Sequence, residues 1–307
     1  MIGVPARVID LENPKKILQA LSVGPMTKWE LKKKAEMEYS RVHEAVSLLE
    51  RDGRVRVFDK VTSEKGLEMK VYGLTFKGVV AYLASVELKR PEQIYPLKPG
   101  ETVESARKKY DSEREAYQKQ LKEVTAFLER YGQLLDYALF KEIHWLMERY
   151  PFVVEDIVGI AKFIEFFRPF PRGFMQTIEG AEKSLSELKR KKWEMLRNPQ
   201  MREPVVIEIQ EGKIVRRESF DPFEEVENEI KILEERLRIL RQKEEEWWRR
   251  CFTACFAERY EAYKPKEGKD MRNKALNKLF AQAAEEIRRL EVEPLEKMAE
   301  LFEGSTD

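Results

Sequence analysis

Ser40-Arg41-Val42-His43-Glu44-Ala45-Val46-Ser47-Leu48-Leu49-Glu50-Arg51-Asp52-Gly53 is the stretch on which the fold turns. Val42, Ala45, Val46 and Leu49 recur at three- and four-residue spacing, which puts them on one face of a helix beginning near Ser40. Asp52-Gly53 ends it, because glycine accepts the left-handed conformation that closes a helix. The period then changes. Val55 and Val57 alternate with Arg54, Arg56 and Phe58, as a half-buried strand requires. Thr62 to Gly66 is a polar turn, and Met69 with Val71 to Leu74 supplies a returning strand, so the pair predicts a hairpin.

Upstream, Asn13 and Pro14 suit the start of a first helix carrying Ile17, Leu18 and Leu21, which Gly24-Pro25 terminates. Thr27 and Glu30 have capping-box spacing for a second helix, with Trp29, Leu31 and Ala35 available for the core. Downstream, Thr75 caps a fourth helix carrying Phe76, Val79, Val80, Tyr82 and Leu83. With its closing residues Tyr72-Gly73-Leu74-Thr75-Phe76-Lys77-Gly78, which fit a Tyr-x-Leu-Thr-x-x-Gly hairpin exit, the segment 13–85 resembles the winged-helix (winged helix-turn-helix) superfamily, in the manner of archaeal-type transcriptional regulators. The resemblance covers about a quarter of the chain. It implies three helices plus a β-hairpin wing, with the helix from Ser40 entering the major groove of duplex DNA.

On that helix the face opposite the apolar stripe is centred on Ser40, Glu44, Ser47 and Arg51, with Arg41 and His43 flanking it. Arg41 and Arg51 can donate to phosphate or guanine, and Ser47 and His43 to base edges or phosphates. Glu44 either accepts from a cytosine amino group or repels the backbone. Lys60 and Lys65 on the wing, with Lys70, Arg54 and Arg56 near them, suit phosphate contact, as do Lys28, Lys32, Lys33 and Lys34 on the second helix. The expected nucleic-acid-binding set is therefore Lys28, Ser40, Arg41, His43, Glu44, Ser47, Arg51, Lys60 and Lys65. The function expected is DNA binding, most simply in transcription regulation. The alternative is an adaptor or scaffold whose winged helix binds protein.

Beyond residue 85 the expected fold class is mainly α. Pro91, Pro96, Pro99 and Gly100 mark 86–100 as a linker or an ordered crossover, and 101–307 as a helical bundle or coiled-coil domain. Thr102 is expected to cap one helix running to Tyr150, followed by helices over Val154–Phe167 and Thr177–Leu196. A short hairpin is expected over Val205–Ile209 and Lys213–Arg217, turning at Glu211-Gly212. A long helix follows over 222–263, then one over Met271–Phe302 broken by Pro294. On the long helix Val226, Ile230, Leu233, Leu237 and Leu240 are spaced as a heptad seam that extends to Trp247 and Cys251, with Glu244 as the interruption. This stripe is either an oligomerisation seam, forming a homodimer or holding a protein partner, or the core-facing side of an intramolecular bundle.

The chain has 307 residues, 42% hydrophobic and 37% charged, with net charge +1. Its richness in Glu, Lys and Arg fits heat-adapted, ion-paired surfaces. Residues 1–85 hold 15 Lys and Arg against 11 Asp and Glu, so the positive excess lies at the N-terminal end. Cys251 and Cys255 share a helix face and read as buried thiols in a reducing compartment rather than metal ligands, since His43 and His144 are the only histidines. No leader is legible before Asn13, and Phe152–Phe167 carries Glu155, Asp156, Lys162 and Glu165, so a cytoplasmic protein without a membrane partner is expected. No Gly-rich phosphate loop, Ser-His-Asp set or zinc motif is present, and Glu142 with His144 lacks di-metal spacing. The expectation is a non-enzyme with no cofactor and no metal.

Overall fold

The computed structural model describes residues 12–63, 66–150, 152–167, 171–198, 205–207, 218–260 and 272–292. It is mostly helical with a small three-stranded antiparallel sheet. The chain divides into two compact units: Met1–Pro169 with Trp248–Arg288, and Phe170–Trp247 with Arg289–Asp307.

The first unit begins with α1 (Glu12–Leu21), β1 (Met26–Thr27), α2 (Lys28–Lys34), α3 (Tyr39–Arg51), β2 (Val55–Thr62), β3 (Glu68–Leu74) and α4 (Phe76–Ser85). The local signals act as their chemistry requires. Thr27 accepts from the Glu30 amide while the Glu30 carboxylate accepts from the Thr27 amide at 2.8 Å, closing a reciprocal cap on α2. Val42, Ala45, Val46 and Leu49 are buried under α3. Gly53 adopts φ 72° at the end of that helix. β2 and β3 pair antiparallel from Val55 opposite Leu74 to Thr62 opposite Glu68, with a bulge between Val57 and Asp59. β1 adds to the other edge of β3 through Met26 opposite Tyr72. At two residues it is too short for any periodicity to reveal.

Thr75 ties three elements together. Its side chain accepts from the Gly78 amide at 3.1 Å and donates to the Gly53 carbonyl at 2.7 Å. Gly78 is required by close approach: a Cβ there would stand 2.0 Å from the Arg54 carbonyl oxygen. The Leu-Thr-x-x-Gly pattern is thus the chemistry of one junction among α3, β2 and α4.

Trp29 corrects an expectation. It is 52% exposed, not core. Leu31 is the residue α2 buries, and two positions along a helix is a rotation of about 200°, so Trp29 must face away from it. Ala35 is half-buried, and Met37 takes the core position instead.

α4 is apolar almost all round, and eight of its residues are buried. The N-terminal elements cover only part of it, so further cover comes from later helices of the same unit. α5 (Val103–Tyr131), a 3-10 turn at Gly132–Leu134, α6 (Tyr137–Arg149) and α7 (Val153–Phe167) follow in order. α4 packs along α7, Phe76 meets Phe252 edge-on at 5.8 Å, and Tyr82 lies 4.4 Å from Phe127. The end of α5 satisfies the end of α1, where Arg130 donates to the Ser22 carbonyl at 2.7 Å and the Tyr131 hydroxyl to that of Leu21. The compact unit therefore includes these later helices as well as the N-terminal elements. Residues 86–100 lie along α5 as an ordered crossover, with the Lys89 amide donating to Gln120 and the Glu92 amide to Glu113.

The single helix expected over Thr102–Tyr150 is two. Thr102 does cap α5. The break falls at Gly132, where a Cβ would stand 1.9 Å from the Phe140 ring, and Asp136 caps α6 by accepting from the Ala138 amide at 2.9 Å.

In the second unit lie α8 (Arg172–Arg197), β4 (Val205–Ile207), β5 (Glu218–Phe220) and the first part of α9 (Pro222–Tyr260); α9 from Trp248 on, and α10 (Arg272–Val292) as far as Arg288, belong to the first unit. β4 pairs antiparallel with β5, Val205 opposite Phe220. The described partner strand is 218–220; the expected returning strand at 213–217 and its turn at 211–212 lie outside the described residues, as do 261–263 and the segment with Pro294. Val226, Ile230 and Leu240 of the heptad stripe are buried within the chain, and Leu233 and Leu237 are half-buried. Val226 and Ile230 form a core with Met195 of α8, flanked by Leu185, Leu188 and Phe223. Glu244, the interruption, is buried and paired to Arg241 at 2.7 Å, which also reaches Glu182 at 2.7 Å. Among the described residues no helix is long and apolar enough to cross a membrane.

Candidate nucleic-acid interface

Burying one stripe of α3 forces the opposite stripe outward, and Ser40, Arg41, His43, Glu44, Ser47 and Arg51 are all exposed. At about 100° per residue, Tyr39, His43 and Glu50 share one edge of this face and Arg41 lies on the other. The Tyr39–Glu50 edge adjoins β3 and the start of α2. There the Lys28 ammonium lies 5.3 Å from the centre of the Tyr72 ring. Burial lowers the Lys28 pKa with help from Lys70, against the pull of Glu50. Burial, then the Glu50 and Tyr39 charges, raises that of Tyr72. Lys28 and Lys70 thus stand beside the polar edge of α3.

Among the described residues, several cations at and beside the hairpin are paired. Lys60 lies opposite Lys70 in the ladder and pairs with Glu68 at 2.8 Å, both side chains more than half exposed. Such a pair contributes little and yields readily to a competing anion. Lys65 lies outside the described residues. Arg54 is not a surface cation: it pairs with Asp52 and, at 2.7 Å, with Glu165 of α7. Lys77 is almost fully buried and donates to the Asp52 carbonyl at 2.6 Å and carboxylate at 3.2 Å. Burial alone would raise the Asp52 pKa, but Lys77 and Arg54 together hold the carboxyl below its ordinary range. This network braces the base of the hairpin against α4 and α7.

Sequence reasoning missed an aromatic corner. Trp29 and Tyr39, 52% and 47% exposed, lie with ring centroids 6.5 Å apart. The Lys32 and Lys33 ammonium groups lie over the Trp29 ring, 4.8 and 5.9 Å from its centre.

Among the described residues no three His, Cys, Asp or Glu side chains gather as a metal site. Cys251 is buried and Cys255 half-buried. No protein-family model, no curated protein and no solved structure matches the chain.

Proposed function

We propose that residues 12–85 are a winged helix that binds duplex DNA in the service of transcription regulation, with α3 as the reading helix and the β2–β3 hairpin as the wing. The observation that carries the reading is the exposed polar face of α3, with Arg41 and Arg51 on it and Lys28 and Lys70 beside it. The order helix, short strand, helix, helix, hairpin, helix supports it, as does the sheet order β1-β3-β2. Arg41 and Arg51 would donate to guanine edges or phosphates, Ser47 and His43 to base edges, and Lys28 and Lys60 to the backbone. Glu44 would select for a cytosine amino group. The helical remainder would hold a second copy or a protein partner, through surfaces other than the already covered Val226 and Ile230.

The test is a mobility shift of the full chain on genomic duplex fragments over a salt series. Binding at about 50 mM salt that weakens steeply by about 200 mM is expected, and Lys60→Ala should reduce the salt slope by about one unit. The carboxylates of Glu44 and Glu50 on the same face favour a second reading, an adaptor that binds protein. No shift of any duplex at low salt would decide for it.

A further inference from the structure

Trp29 is held outward by the geometry of α2, not by a lack of core to enter. Leu31 takes the buried position, and Lys32 and Lys33, three and four residues on, share the face of Trp29. Tyr39 joins it from the first turn of α3, its ring tilted 51° to the indole. A second ring and two ammonium groups around one exposed tryptophan distinguish this corner from the scattered exposed apolar residues usual on a protein surface. Glu30, the carboxylate of α2, is turned to the helix cap, where the Thr27 amide and hydroxyl both donate to it at 2.8 Å.

We infer that Trp29 and Tyr39 form a stacking platform for an unpaired nucleobase, with Lys32 and Lys33 holding its phosphate, so that the chain binds single-stranded nucleic acid at the α2–α3 corner. Every base offers a flat π-face to an aromatic side chain, and the Lys32 and Lys33 ammonium groups that lie over the Trp29 ring, on flexible stems, would shift to the nucleotide's phosphate as the base stacks. A base within a duplex hides that face against its neighbours, so the platform selects for unpaired strands. The lysines favour a polyanion over a peptide. The inference rests on the nucleic-acid reading for the class of partner but not on α3 entering a groove.

The experiment is anisotropy of a labelled oligothymidylate of about 12 nucleotides with the full chain, alongside intrinsic tryptophan fluorescence. An abasic strand of equal length and a blunt duplex serve as comparisons. The thymidylate should quench the fluorescence and bind more tightly than the abasic strand. Trp29→Ala should weaken thymidylate binding about 5- to 150-fold, Trp29→Phe should retain most of it, and Lys32→Ala/Lys33→Ala should lower thymidylate and abasic binding alike. Equal affinity of Trp29→Ala and parent for thymidylate overturns the proposal, as does equal binding of thymidylate and abasic strand, or no binding of either. Duplex binding that Trp29→Ala leaves intact while thymidylate binding falls supports the platform as a separate site. Thymidylate binding without any duplex binding supports the platform and removes the groove reading.

Discussion

α3 and the first part of α9 carry the same kind of apolar stripe, and the structure uses them differently. The four stripe residues of α3 are at most 4% exposed, enclosed by α1, α2 and β2. The five of α9 divide into three buried and two half-buried, and its core with α8 is bordered by ion pairs such as Lys189–Glu234 at 2.7 Å. A stripe announces that a face will be covered. How many elements cover it is decided by the rest of the chain. Cover from α1, α2 and β2 leaves α3 a narrow polar face that can be given to a ligand, whereas among the described residues Val226 and Ile230 of α9 meet α8 and ion pairs border that core.

The largest effect should come from breaking that contrast directly. Leu49→Ala, at a buried position of the α3 stripe, should cost about 2–5 kcal/mol, and Leu237→Ala, at a half-buried position of the α9 stripe, about 1 kcal/mol, as read by urea unfolding at unchanged slope. Equal costs would show that the two stripes are covered alike.

Acid should act next at the base of the hairpin. A carboxyl whose pKa is depressed in the folded state stabilises above its unfolded value of about 3.9 and loses that contribution as pH falls through the folded one. Asp52, held down by Lys77 and Arg54, therefore favours the folded base of the hairpin above pH of about 4 and releases it below. Melting temperatures of parent and Asp52→Asn, followed from pH 6 to about pH 2, should converge as the pH falls. Parallel curves would remove Asp52 from the network's energetics. A smaller effect belongs to the cap on α2: Thr27→Ala should cost about 1 kcal/mol in the same unfolding measurement, and a cost near zero would mean that packing of Leu31 alone holds the helix.

What was legible in the sequence was what neighbours along the chain decide. The Thr27–Glu30 box, the left-handed Gly53, the Thr75 cap and the buried side of α3 all involve residues within a few positions of each other. Exposure of Trp29 was not legible from composition, although its two-residue offset from Leu31 held the answer. The break at 132–136 was obscured because apolar periodicity resumes on both sides of it, even though Gly132 and Asp136 mark it. The role of Arg54 as a brace depends on Glu165, more than a hundred residues away, and no local pattern carries that. For the proposed interface, the α3 face was legible because burying one side of a helix exposes the other. The aromatic corner was not, because it is shared between two helices.

The central claim is that α3 reads duplex DNA through Arg41 and Arg51. Its most direct test compares the parent with Arg41→Ala/Arg51→Ala by anisotropy on a duplex the parent binds, at one salt concentration, with melting temperatures measured in parallel. Each arginine contact to a base is worth about 1–3 kcal/mol, so the double variant should bind at least about 30-fold more weakly while melting as the parent does. Parent-like binding by the double variant would contradict the account.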